Sequence, residues 1–234
     1  MRQQSSGWIV AGWNGKHILA NDDGVNGLNI GEESLDGNWH HVSLTWKRNS
    51  ESGFASYLDG ELVDSRDSSD VPIPDYDSSV FFGAFNGVGE FSNGQLDEIA
   101  IWNKALSSEE VKNSFKNSYS GQEDGLMGFW NFDDGTASDI TESGFDGTLN
   151  GDAKIVDATG VGGRGLVHVM VGSKKTGNLA LVLDGDGDFV ETPLTDLSGP
   201  ELSIEYWFKG ESNQSAVRQQ GGPGWVVAGW SGQH

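Results

Sequence analysis

Asp184, Asp186 and Asp188 stand in the run DGDGD, alternate carboxylates separated by glycines. An EF-hand loop begins with that spacing, its first acids offering hard oxygen ligands to Ca2+. The rest of such a loop is missing, because Phe189 stands where the turn glycine belongs and Thr195 where the bidentate glutamate belongs. The other acids that could do chemistry are Asp97 and Glu98 in LDEIAIW and Glu205 in SIEYWF. Retaining glycoside hydrolysis needs two carboxylates roughly 5 Å apart, which on one strand means acids two or four residues apart. Asp97 and Glu98 are adjacent and point to opposite faces of a regular strand, and Glu205 is alone on its own. His40 and His41 come with no serine or cysteine nucleophile in a recognisable motif. The run GVGGRG at 160–165 opens no helix, so it lacks the context of a phosphate-binding loop. The chain has no cysteine, which removes thiolate metal sites and disulfide frameworks. Carboxylate oxygens without thiolates suit Ca2+ rather than Zn2+.

Composition narrows the partners. A formal net charge of −21 over 234 residues opposes binding to a phosphate backbone, which relies on clustered Lys and Arg, so no nucleic acid is expected. No apolar run approaches a membrane-crossing length, and no membrane insertion is expected. The RQQSSG that follows Met1 is not a signal-peptide pattern. An acidic chain rich in Gly, Asp, Asn and Ser and free of cysteine fits a secreted or surface protein of a bacterium.

The elements that must position these residues are strands. Short apolar segments recur with turn residues between them: GWIVAGW, KHILAND, GLNIGEE, NWHHVSLTW, SVFFGAF and GQLDEIAIW, then GLMGFWNFDD, GTLNGDAKIV, LALVLDG, DFVETP and LSIEYWFKG. In NWHHVSLTW, Val42, Leu44 and Trp46 alternate with Ser43 and Thr45, the pattern of a half-buried strand. GFASYLDGELVDSR reads as a hairpin about Asp59-Gly60. One helix is expected in ALSSEEVKNSFKNSY, where Ser107 precedes Glu110 by three residues in a capping box. Many strands and one helix make an all-β protein, for which a two-sheet sandwich is the natural burial scheme.

The two ends of the sequence repeat each other. Residues 1–17, MRQQSSGWIVAGWNGKH, align with 217–234, VRQQGGPGWVVAGWSGQH, with one gap. Ile9 against Val226, Asn14 against Ser231 and Lys16 against Gln233 mark diverged copies rather than a cloning duplication. The chain thus holds slightly more than one period of a repeat.

DGNWHHVSLTWKRNSESGFASYLDGELV (36–63) and GQLDEIAIWNKALSSEEV (94–111) resemble the signatures of the laminin-G-like (LamG) jelly-roll domains of the concanavalin A-like lectin/glucanase superfamily. So do GLMGFWNFDDGTASDITESGFDGTLNG (125–151), LVLDGDGDFVETP (181–193) and LSIEYWFKG (202–210), which open the domain in that family. The order is inverted here. The resemblance therefore implies one circularly permuted jelly-roll sandwich over 1–234, drawn from a tandem array: 1–116 is the C-terminal half of the family domain, 117–124 a connector and 125–234 the N-terminal half. It implies a structural role for the two histidines, and the Glu-x-Asp-x-x-Glu pattern of related glucanases is absent. By position it implies one Ca2+ held by Asp184 and Asp97, with Asp188 as a third ligand.

Sugar rings stack on exposed aromatic faces, and Trp13 and Trp230, which alternate with Trp8 and Trp225, are the candidate ligand-binding residues. Trp39, Trp46, Trp130 and Trp207 lie in signature strands and are expected in the core. The resulting expectation is a non-catalytic, calcium-binding module that recognises a glycan or extracellular matrix component in adhesion. The alternatives are a structural adhesin repeat whose halves assemble with neighbours into strand-swapped oligomers, and a glycan-active hydrolase.

Overall fold

The structure, a computed structural model, describes residues 7–13, 15–21, 24–69, 78–158, 179–197, 199–212 and 216–221. Among the described residues, fifteen strands form two antiparallel sheets. The seven-stranded sheet runs β10 (Thr148–Asn150), β13 (Phe189–Thr192), β7 (Val80–Phe82), β15 (Val217–Gly221), β1 (Gly7–Trp13), β2 (Lys16–Asn21) and β3 (Gly24–Asn29). The eight-stranded sheet runs β11 (Lys154–Asp157), β12 (Leu179–Asp184), β8 (Asn93–Trp102), β14 (Glu201–Ser212), β4 (Trp39–Lys47), β5 (Phe54–Leu58) and β6 (Glu61–Arg66), with β9 (Leu126–Trp130) also on β8. The fold is the expected all-β sandwich, with a 3-10 turn at Glu32–Leu35 and, among the described residues, one α-helix, α1 (Ser108–Ser114).

Between the sheets lies an apolar core drawn from both. Val80, Phe82, Val190 and Val217 come from one sheet, and Leu44, Trp46, Ile99, Ile101, Leu181, Ile204 and Phe208 from the other. Trp130 meets Phe82 edge to face at 4.9 Å, an aromatic pair that adds about 1 kcal/mol beyond the area it buries, and its indole donates to Phe145 O at 3.0 Å. Trp39, Trp46, Trp130 and Trp207 are all buried.

Strand β14 lies between β8 and β4 in unbroken alternation. Leu202, Ile204, Tyr206 and Phe208 face the core, while Ser203, Glu205 and Trp207 face outward under α1. This second, outer layer corrects one expectation: β4 is buried on both faces rather than half-buried, because α1 and the segment after it cover the face that bears His41, Ser43 and Thr45. The capping box forms as expected, with Ser107 N donating to Glu110 Oε2 at 2.7 Å and Glu110 N to Ser107 Oγ at 3.3 Å. The hairpin between β5 and β6 also forms: Asp59 at φ 51° and Gly60 at φ 81° give the two positive dihedrals of a type I′ turn. GTLNGDAKIV, by contrast, is two strands in different sheets, because Gly151 at φ 72° turns the chain from one layer to the other.

The Tyr206 hydroxyl is buried in this core with no hydrogen-bond partner among the described residues. Burial accordingly pushes its pKa far up. A polar group buried without a partner costs about 1–3 kcal/mol. Tyr206→Phe is therefore expected to raise the urea midpoint, by roughly 1 kcal/mol of stability; a fall of that size would show that the hydroxyl is satisfied.

Candidate metal centre

Two connections cross from sheet to sheet side by side. Residues 151–153 carry the chain from β10 to β11, and 185–188 carry it from β12 to β13. Gly185 and Gly187, at φ 87° and 88°, make the second corner. The corners touch so closely that a Cβ at Gly151 would stand 2.5 Å from Gly187 O and 2.6 Å from Asp188 Oδ1. Asp188 ties them together: its Oδ1 accepts from Asp152 N at 2.7 Å and its Oδ2 from Asp184 N at 3.2 Å. Asp184 in turn caps its own turn, with Oδ1 accepting from Asp186 N at 2.8 Å.

This knot gathers Asp152, Asp184 and Asp188, one carboxylate oxygen of each lying within 4.8 Å of the others. Asp188 is 2% exposed, and the other two open to solvent. Burial, followed by the charges of Asp184 and Asp152, raises the Asp188 pKa, while backbone donors oppose the shift. Lys154, 3.3 Å from Asp152 Oδ2, lowers the Asp152 pKa. Oxygens bound 2.3–2.6 Å from Ca2+ stand at most about 5 Å from one another, so the spacing fits one such ion. Three hard donors that repel one another fit it chemically as well.

Of the residues predicted from sequence, Asp184 and Asp188 are brought together and Asp97 is not. Asp184 pairs with Asn93 at the start of β8. Asp97 lies four residues further along that strand, about 13 Å at the usual strand rise. There it is fully buried opposite Trp207, its Oδ1 accepting from Glu98 N at 2.7 Å. The third acid of the cluster, Asp152, was missed. The only signal for it is an acid after a glycine in NGDAK, 32 residues from Asp184, and sequence spacing cannot join two turns of different hairpins. Trp13 ends β1, and its side chain lies outside the described residues, as does Trp230. A groove of about 420 Å³ adjoins the acid knot, lined by Asn93, Gly94, Gln95, Leu183, Lys209 and Gly210 among others.

The second concentration of acids lies on β8 and β14. Strand β8 bulges at Glu98, φ 49°, so Asp97 and Glu98 do not alternate regularly, and both are buried together with Glu205. Glu205 Oε1 accepts from Ser43 Oγ at 2.9 Å and from Ser114 Oγ at 2.8 Å, and its Oε2 accepts from the Tyr119 hydroxyl. His41 Nε2 stands 3.8 Å from the same carboxylate. His41 is buried and its pKa falls, with Glu205, Glu98 and Asp59 opposing the shift. Neighbouring His40 behaves oppositely: its ring nitrogens lie 2.9 Å from Asp59 Oδ2 and 3.1 Å from Asp36 Oδ1, and Asp59 above all raises its pKa. Asp59 also accepts from His41 N at 2.9 Å. The two histidines thus clamp the β5–β6 turn and the underside of α1.

Residues 2–112 match the Laminin_G_3 family, described as the Concanavalin A-like lectin/glucanases superfamily. No curated protein and no solved structure matches the chain. Among the described residues no helix is long and apolar enough to cross a membrane.

His17 generates a pH prediction. It lies fully buried on β2, where its Nδ1 accepts from Gly12 N at 3.3 Å, and burial lowers its pKa to about 3, against a hydrogen bond with the Ser43 backbone. Below the ordinary value of 6.5 the unfolded chain takes up a proton that the folded chain refuses, so stability is lost as pH falls from there toward 3. In a comparison of urea midpoints, wild type should lose stability relative to His17→Gln by about 1.4 kcal/mol per pH unit between about pH 6 and 4. Parallel curves for the two proteins would contradict the buried neutral imidazole.

Proposed function

From the match of residues 2–112 to the concanavalin A-like lectin/glucanase superfamily, we propose that the chain is a non-catalytic, calcium-dependent carbohydrate- or matrix-recognition module acting outside the cell. The superfamily holds both enzymes and non-enzymes, and the match to a lectin-like domain supports a carbohydrate-binding module. The observation that carries the finer reading is the knot of Asp152, Asp184 and Asp188 at the two sheet-crossing corners, open to solvent on one side and bordered by the groove at Asn93. A cation there neutralises the mutual repulsion of the carboxylates and presents a charged centre at the rim, where sugar hydroxyls can reach it.

Burial supports the absence of catalysis. Asp97, Glu98 and Glu205 are the acids that neighbouring strands bring near one another, and they are 0%, 6% and 1% exposed. A polysaccharide cannot reach carboxylates so buried without displacing what covers them. We also read 1–234 as one permuted unit, 1–116 and 125–234 being the exchanged halves. Strands of the two halves alternate in the order β12, β8, β14, β4. An assembly repeat is the second reading, favoured by that same interleaving.

Saturating Ca2+ should raise the melting temperature, by roughly 5–10 °C at a hundredfold excess over Kd. Asp184→Asn, which keeps the turn acceptor but loses the charge, should melt no lower than wild type in chelator and lose most of the Ca2+ shift. Glycan-array binding present in Ca2+ and absent in chelator supports recognition. Identical melting in Ca2+ and chelator refutes the metal site, and a blank array with concentration-dependent oligomers transfers the case to assembly.

A further inference from the structure

A cavity of about 210 Å³ opens between the end of β8, helix α1 and the segment that follows the helix. Its lining shares no residue with the acid knot or with the groove beside it. Trp102, Leu106 and Tyr119 give the walls their apolar surface, and the two aromatic rings meet edge to face at 4.9 Å. An apolar cavity of about 150 Å³ accepts benzene, so this one has room for a compact organic head group with a short tail.

The charge around the cavity is unbalanced. Ser114 and Tyr119 line it and donate to the Glu205 carboxylate, which therefore stands one hydrogen bond behind the wall. The basic group that approaches Glu205 is His41, at 3.8 Å, and burial lowers its pKa. Glu110 and Glu123 add two carboxylates to the lining itself. Lys104 is the one basic residue among the described residues of the lining. Its Nζ lies 5.1 Å from the centroid of the Trp102 ring and 3.0 Å from Glu110 Oε1. The chain thus places an ammonium of its own on an aromatic face beside a carboxylate. That ammonium is replaceable, because the Lys104 side chain is 33% exposed and exposed side chains change rotamer on the picosecond to nanosecond scale.

From this arrangement we propose that the cavity is a binding site for a small quaternary ammonium compound, whose head takes the place of the Lys104 ammonium over Trp102. Cations over tryptophan faces are attracted by the ring quadrupole, most strongly where water is excluded. The carboxylates favour a quaternary over a primary ammonium. One Glu110 oxygen is taken by the Ser107 amide, and both Glu123 oxygens by the Ser120 and Gly121 amides. They offer the site negative charge but few open acceptors, which suits a cation with no N–H to donate. The site is independent of the calcium reading.

Calorimetric titration of the full chain with choline should give saturable binding that a chelator leaves unchanged. Neohexanol, the uncharged carbon isostere of choline, should bind at least about tenfold more weakly. Lys104→Met removes the competing ammonium and should tighten choline about fivefold, while Glu123→Gln should weaken it about threefold. Given choline binding, choline-reversible sedimentation with phosphatidylcholine vesicles would identify the compound as a lipid head group, and no sedimentation would identify it as a free solute. Equal binding of choline and neohexanol, a comparison that needs no variant, would reduce the cavity to an apolar pocket and overturn the proposal. So would the absence of choline binding in wild type and Lys104→Met alike, or unchanged or weaker binding in Lys104→Met.

Discussion

Strand β14 holds the molecule together. It pairs over nine positions with β4 from the first half of the chain and over seven with β8, so the eight-stranded sheet does not exist until the two halves have met. Its inward residues fill the core, and its outward ones form a rail for the segment around α1. Glu201 accepts from Ala105 N at 3.2 Å, Ser203 bridges Lys104 O and Leu106 N at 2.9 Å each, Glu205 receives Ser114 and Tyr119, and Trp207 stacks on Phe115 at 5.7 Å. The period of two along one strand thus specifies both a hydrophobic layer and a helix dock. The Glu205 carboxylate in that dock is tolerable because three hydroxyls satisfy it, which is the condition for burying such a group at all.

The same dock takes up residues whose types resemble catalytic machinery. A histidine beside a glutamate, with serine and tyrosine hydroxyls at hand, has the composition of an active site. Its geometry is that of a clamp: the hydroxyls all point at one carboxylate that is sealed from solvent, and burial lowers the pKa of the His41 imidazole. The adjacent cavity of about 210 Å³ is lined by Trp102, Ser114 and Tyr119, so it exposes the edge of the network rather than its carboxylate.

The acid knot follows a different rule. A sandwich must carry its chain across the 10 Å between layers, and each crossing needs a turn. Two crossings placed side by side require glycines to let backbones approach and an acceptor for the amides left over. Asp188 supplies the acceptor, and in doing so draws two more aspartates into range of one another. The cluster of charge is a by-product of the corner geometry, and its three carboxylates could hold a metal ion.

Local features were legible because they depend only on neighbours in sequence. The all-β class, the Asp59-Gly60 turn, the capping box of Ser107 and Glu110, and the pairing of Asp184 with Asp188 in one turn all follow from residue types at fixed short spacing. The repeat at residues 1–17 and 217–234 was equally plain, since it is a property of the letters alone. What the tertiary structure decided were the meetings of distant segments. Asp152 reaches Asp188 because two corners are adjacent in space, and Asp97 is withheld from them because strand register sets it four residues too far along β8. The double burial of β4 depends on where α1 comes to rest, and the bulge at Glu98 on β8 exchanging β12 for β9 as its neighbour. None of these is written in a window of sequence, because each is set by how strands from opposite ends of the chain fall into register.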